Sequence, residues 1–378
     1  MAVFKRKIVI FGYYGAGNLG DDIILYAIIK RLSKFTDKSK IVVVSSQLKA
    51  DTSFISSRYG VEAITLKNPI KFLKTLISGK VLLMGGGGII QPGATIFSIF
   101  LYTLLFKLFR CKIALLSVGV EFPHNFSKFD KFLTKLLTAI SDVISVRDII
   151  SKAFFKTIGA LKHIFIVRDL SFLLYNDLNK LSLKFEDTLE RDPYVIFVLK
   201  DFLIHNKLTN MDLNHFINTI SEFCNYLINS EGLHIYFLVA QHGFKSDINI
   251  TRKIIHNIHK KDMTKIIVYG STPLENILKL IKNSLYVVSM RLHPSIIAFM
   301  MEKPVIGLAY SNKIKTFMEE NGLRYFYIDI SQKFTLSTLK RLSTQILNTS
   351  IKIPNINDIH NEVVCEISNI GSLIGEDI

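Results

Sequence analysis

The chain has three cysteines in 378 residues, Cys111, Cys224 and Cys365. No two stand at metal-ligand spacing, and an odd number does not build a disulfide framework. The thiols are therefore expected to be reduced, as in a cytosol. No HEXXH, Cys/His cluster or EF-hand-like loop occurs, so no obligatory metal is expected. There is no internal repeat or low-complexity tract, which excludes solenoids and long disordered linkers. The stretch MAVFKRKIVIFG has only a short apolar run before its glycine and reads as a first strand rather than an export signal. Residues 81–106 carry no charge. Glycines at 85–88 and Gln-Pro-Gly at 91–93 interrupt them, however, and the apolar remainder is too short to cross a bilayer. A strand, a glycine loop and a buried helix are expected there.

What is present favours a large folded protein. A chain of 378 residues that is 49% hydrophobic can bury a sizeable core, and its length suits two domains. Lys and Arg outnumber Asp and Glu by 47 to 31, a formal charge of +16 that suits anionic partners: nucleic acid, a membrane surface, or phosphorylated and carboxylated substrates. The lysines are scattered over helical segments without an RNA-binding signature or aromatic–basic interleaving, so nucleic acid is not expected. Lysines at 71–80 and 107–112 flank the uncharged segment, and basic residues beside apolar surface suit an anionic leaflet. The expected location is the cytoplasm, with a peripheral contact at the inner face of the cell membrane.

Short β-branched runs alternate with segments of helical period, as in an α/β fold with parallel sheets. Strands are predicted at 7–11, 41–45, 63–66, 81–84, 113–118, 143–146 and 163–167. After a polar, charge-dense stretch at 176–193 they resume at 194–199, 234–240, 265–269, 285–289, 305–308 and 325–328. The expected organisation is an N-terminal Rossmann-like domain (1–182), a C-terminal one (190–348) and a tail (349–378) packed on a domain. Two doubly wound domains are expected to place a ligand cleft between the carboxyl ends of their sheets.

Four motifs carry the chemistry. FGYYGAGNLGDDIIL (11–25) follows a strand, with a glycine loop at 12–20 and a helix beginning at Asp21 or Asp22. Two aspartates would repel a phosphate placed among them, so Gly17, Asn18, Asp21 and Asp22 suit the hydroxyls of a saccharide better than a nucleotide. Asp22 equally suits a helix cap. MGGGGIIQ (84–91) follows another strand, and its glycines, with Gln91, suit either close backbone approach to a ligand at Gly86 and Gly87 or a crowded connection. In SVRD (145–148), Arg147 can hold a carboxylate or phosphate, or pair with Asp148 or another acid. In RLHPSII (291–297), Arg291 and His293 stand between a strand end and a helix whose first turn takes Pro294. There the helix dipole favours the neutral imidazole a general base needs. Lys313 and Lys315 then open a helix against its dipole, which asks for an anion or for solvent.

In the order GYYGAGNLGDD, MGGGGIIQ, SVRD, RLHPSIIAFMMEKPVIG and SNKIKTF, the chain resembles the polysaccharide pyruvyl transferase family. The resemblance implies a two-domain, GT-B-like architecture with an interdomain cleft. It also implies transfer of the enolpyruvyl unit of phosphoenolpyruvate to a saccharide, with a pyruvate ketal formed and phosphate released. The family's GNLGDE-type loop falls on 17–22, with Asp22 in place of the usual glutamate. Its arginine after the central strand falls on Arg147, its RLH on 291–293 and its lysine on Lys313, while Lys200 follows a strand where an arginine is frequent and Pro294 replaces a small residue. Arg147, Arg291 and Lys313 would then bind the donor, Arg291 would also stabilise departing phosphate, and His293 and Asp21 would move protons. Gly17, Asn18, Asp21, Asp22, Gly86, Gly87 and Gln91 would meet the acceptor. Phosphoenolpyruvate enters as a substrate, with no cofactor, and the acceptor is a saccharide or a lipid-linked saccharide of cell-surface polysaccharide synthesis. A GT-B glycosyltransferase using a sugar nucleotide is the alternative.

Overall fold

In the computed structural model, residues 7–160, 162–182, 192–201, 213–243, 246–348 and 356–374 are described. The strands of the first sheet are β1 (Lys7–Gly12), β2 (Ile41–Ser45), β3 (Glu62–Thr65), β4 (Gly79–Gly85), β5 (Lys112–Val118), β6 (Val143–Val146) and β7 (Phe165–Ile166). Those of the second are β8 (Tyr194–Val198), β9 (His234–Val239), β10 (Thr264–Val268), β11 (Val287–Ser289), β12 (Val305–Ala309) and β13 (Tyr327–Asp329). Every β-branched run named above coincides with one of them. Among the described residues, pairing is parallel in both sheets, with Ile8 beside Ile41 and Val81 in the first and Val287 beside Ile196 in the second. Central strands such as IVVVS of β2 and YVIFV of β8 are buried at every position, as sheets covered on both faces require.

The strand order is β3-β2-β1-β4-β5-β6-β7 in one sheet and β10-β9-β8-β11-β12-β13 in the other. Order therefore reverses between β1 and β4, and again between β8 and β11. In open α/β sheets the crevice outside the carboxyl ends of such a strand pair is where ligands bind. The loops that leave those four strands carry GYYGAGN, GGGIIQ, Lys200-Asp201 and Met290-Arg291.

Contacts divide the chain into two compact units: Met1–Ala16, Asp21–Leu173 and Asn357–Ile378 form the first, Gly17–Gly20 and Leu174–Ile356 the second. In the first, Val9, Phe11, Val42, Val44, Leu82, Met84, Ile113 and Leu115 share one face of the sheet with residues of the helices Pro69–Ser78, Ala94–Leu108, Lys128–Ile140 and Ile149–Thr157. The uncharged 81–106 stretch thus becomes a central strand, a loop and a helix that is only half buried. Among the described residues no helix is long and apolar enough to cross a membrane. In the second unit Phe197 of β8 is fully buried against Phe223 and Phe237. Phe197→Ala should lower stability by about 3–5 kcal/mol, read as a lower midpoint of chemical or thermal unfolding.

Candidate active site

In the second unit the loops after β8, β9 and β11 are joined through Asp247. Its carboxylate is 1% exposed and accepts from Arg291 Nη2 at 2.7 and 2.6 Å and from the Asp201 backbone N–H at 3.0 Å. Burial pushes the Asp247 carboxyl above its ordinary value even with that guanidinium against it. Ser289 grips the Arg291 backbone at both ends, its hydroxyl donating to the carbonyl at 2.8 Å and accepting from the N–H at 3.0 Å. Arg291 is the N-cap position of the helix Leu292–Met300, so His293 lies in the first turn. The sequence reading missed Asp247. Like Asp148 it is an acid beyond a strand end, but no motif surrounds it.

Beyond β8, Lys200 reaches Tyr310 at the end of β12, donating to the hydroxyl at 3.0 Å and lying 4.4 Å from the ring centroid. Burial opposes ionisation of Tyr310, and Lys313, Lys200 and Arg291 together outweigh it, holding the phenol below its ordinary value. Three cations therefore converge electrostatically on one phenolic oxygen. Two of them, Arg291 and Lys313, were expected from the motifs; Lys200 had been noted only as a replacement for an arginine. Lys315 is exposed, on solvent.

The GNLG segment also belongs to this second unit. The helix begins at Leu19 rather than at an aspartate, because Asn18 supplies the cap: its Oδ1 accepts the Gly20 N–H at 3.0 Å. Leu19 N donates to Ala240 O at 2.9 Å and His242 N to Gly17 O at 3.0 Å, fixing the segment along the residues after β9. A Cβ on Gly20 would overlap the His293 imidazole, and one on Gly17 would lie 2.8 Å from His242 Nε2. Two imidazoles thus dictate two glycines. Burial holds the His242 imidazole below its usual value.

In the first unit Asp22 is 3% exposed and accepts the Gly15 N–H at 2.9 Å. It anchors the loop from within rather than facing an acceptor. Asp21 is half-buried, and its Oδ1 is 3.4 Å from where a Cβ on Gly87 would stand. The run after β4 is largely explained by crowding: side chains on Gly86 and Gly88 would overlap Ile24 and Glu121, and Gln91 Nε2 closes the loop on Gly88 O at 2.7 Å. Gly87 alone of these three borders space next to a carboxylate. Arg147 is 7% exposed, with Nε 3.5 Å from Asp148 and Nη1 3.7 Å from Asp169. Burial works against its charge, while Asp169, Asp148 and Glu121 hold the guanidinium above its ordinary value. Of the two roles open to Arg147, pairing with acids is the one its side chain performs here.

Two parallel, doubly wound units, each with a strand-order reversal, define the fold class, which is GT-B-like. UDP-GlcNAc 2-epimerase from Methanocaldococcus jannaschii has a TM-score of 0.61 and 16% identity over 97% of this chain and 100% of its own. The Neisseria meningitidis enzyme bound to UDP-GlcNAc gives 0.62 and 14% over 97% and 100%. Anabaena Alr3699/HepE in complex with UDP-glucose gives 0.57 and 13% over 98% and 97%. At these identities the likeness extends to the fold alone. No curated protein matches. The sequence profile described as polysaccharide pyruvyl transferase matches residues 18–312, from Asn18 through the RLH motif to Asn312. The chain belongs to the polysaccharide pyruvyl transferase family, a family of transferases.

Of the Coulombic influences that lower Tyr310, that of Lys313 is the largest. Lys313→Met should therefore raise the Tyr310 pKa. The check is tyrosinate absorbance against pH, with Tyr310→Phe subtracted to isolate this phenol from the other tyrosines. An unchanged titration would remove Lys313 from the cluster.

Proposed function

We propose that the protein transfers the enolpyruvyl unit of phosphoenolpyruvate to a saccharide, forming a pyruvate ketal during cell-surface polysaccharide synthesis. The observation that carries this reading is the cationic group of Lys200, Arg291 and Lys313 around Tyr310 at the carboxyl ends of the second sheet. Phosphoenolpyruvate carries a carboxylate and a phosphate, and cationic donors fixed in a partly dry site stabilise both, as well as the charge that grows on departing phosphate.

The chemistry balances without water. One acceptor hydroxyl adds to C2 of the enol, and C3 gains a proton to become a methyl group. A second hydroxyl then displaces phosphate from C2 and gives up its proton. His293, in the first helical turn beside Arg291, is the proposed proton carrier of the second unit. In the first unit, Asp21 beside Gly87 is the group offered to acceptor hydroxyls, with Gly86 and Gln91 shaping that loop. Arg147, held among acids, has its proposed role reduced from donor binding to shaping the loop that follows β6.

The test is incubation of the purified protein with phosphoenolpyruvate and a panel of saccharide diols, reading acceptor-dependent phosphate release. His293→Ala should lose roughly two decades of turnover; unchanged turnover would remove it from the mechanism. Phosphoenolpyruvate should raise the unfolding temperature of the wild type and do so less in Lys313→Met. Stabilisation by UDP-sugars with none from phosphoenolpyruvate would instead favour a sugar-nucleotide glycosyltransferase.

A further inference from the structure

The helices Pro69–Ser78, Ala94–Leu108 and Lys128–Ile140 cover one face of the first sheet as neighbours. Phe72 packs edge-on against Tyr102 and Phe106 with centroids 6.0 Å apart, and the Gly93 N–H that precedes the second helix donates to Asp130 of the third at 3.0 Å. Their inward residues, among them Leu76, Ile99, Phe106, Leu133 and Leu137, belong to the core. The solvent side of such helices is ordinarily polar.

Here it is not. Ile70 and Leu73 are 68% and 51% exposed, Phe97 and Leu101 50% and 41%, Phe129 and Phe132 58% and 55%. Each pair is three or four residues apart, so each helix carries an outward apolar stripe opposite its buried one. Grouped exposure of large apolar side chains marks an interaction surface. Exposed lysines, Lys71 and Lys74 on the first helix and Lys128, Lys131 and Lys135 on the third, stand among the stripes. The sole acid in these three helices, Asp130, is 7% exposed and turned inward to Ser127 and Gly93. The face is therefore apolar and cationic without an exposed carboxylate.

That combination selects the occupant. A second copy of the chain docked on the same face would set lysine against lysine around the apolar contact. An anionic leaflet satisfies both components: phenyl and aliphatic groups enter the headgroup–acyl boundary, and ammonium groups stay with lipid phosphates. We propose that this three-helix face seats the protein on an anionic lipid bilayer, lying on the surface without crossing it. The proposal is independent of the donor substrate, and its assay does not involve turnover.

The experiment is flotation of the full chain with vesicles of phosphatidylglycerol and phosphatidylcholine, compared with phosphatidylcholine alone. At low salt the protein should float with the anionic vesicles, with partitioning at least ~10-fold weaker on neutral ones or at 0.5 M salt. Phe129→Ser/Phe132→Ser and Lys71→Glu/Lys74→Glu should each weaken partitioning by ~10-fold or more while leaving the circular dichroism spectrum unchanged. The lysine pair removes no apolar packing, so it keeps the test decisive should the phenylalanine pair perturb folding. Absence of flotation with anionic vesicles would overturn the proposal, as would equal flotation on neutral vesicles or undiminished flotation of the folded variants. A light-scattering mass of two chains that falls to one in the phenylalanine variant would assign the face to self-association instead.

Discussion

A carboxylate held out of water must be matched by a cation, and in the second unit that requirement is met by Arg291 on Asp247. Much of the local geometry follows from it. Asp247 N donates to Gln241 O at 3.0 Å, so the acid is tethered to the end of β9, while its Oδ1 receives the Asp201 N–H beyond β8. Arg291 brings in the end of β11, and Ser289 prevents its backbone from turning. With Asp201 fixed, Lys200 is delivered to Tyr310; with Arg291 fixed, His293 is delivered to the first turn of its helix. A guanidinium engaged on an acid cannot wander, so whatever charge it presents to a ligand is presented from a preset position.

The glycine-rich loops illustrate two distinct uses of a missing side chain. At Gly86 and Gly88 the space is already filled by Ile24 and Glu121, and at Gly20 by the His293 ring, so the residue type is set by protein packing. At Gly87 a Cβ would stand 3.4 Å from Asp21 Oδ1, and there the left-handed backbone, φ 76°, calls for glycine. Sequence alone presents such positions identically. The density of glycine therefore marks the crowded strand ends of an α/β sheet as much as it marks a ligand.

The fold was largely legible because buried parallel strands write themselves as β-branched runs: IVVVS and YVIFV leave little ambiguity. Helix starts were less so, since Asn18, Asp21 and Asp22 are all competent caps and only tertiary pairing along the residues after β9 selects Asn18. RLH was legible through its place between a strand and a proline-bearing helix start. Asp247 and His242 were not, because their partners, Arg291 and Gly17, are distant in sequence and no periodicity links them. The exposed apolar face was legible only in part, through the lysines that flank the uncharged run. It is assembled from three segments, of which the uncharged run supplies only one, and inward and outward stripes of one helix read together as simple hydrophobicity.

The helix Ile356–Ile374 follows the whole second unit in the chain, yet its residues from Asn357 onward cluster with the first. His360 Nδ1 meets Phe172 O at 2.9 Å and Glu362 accepts the Arg168 N–H at 3.0 Å. During synthesis on the ribosome, the sheet begun by β1 must wait uncovered at these positions until nearly two hundred further residues have emerged, from Leu174 to Ile356. A nascent chain halted before that helix would leave the Phe172 carbonyl and the Arg168 N–H without these partners. The earliest-made unit is thus among the last to be finished.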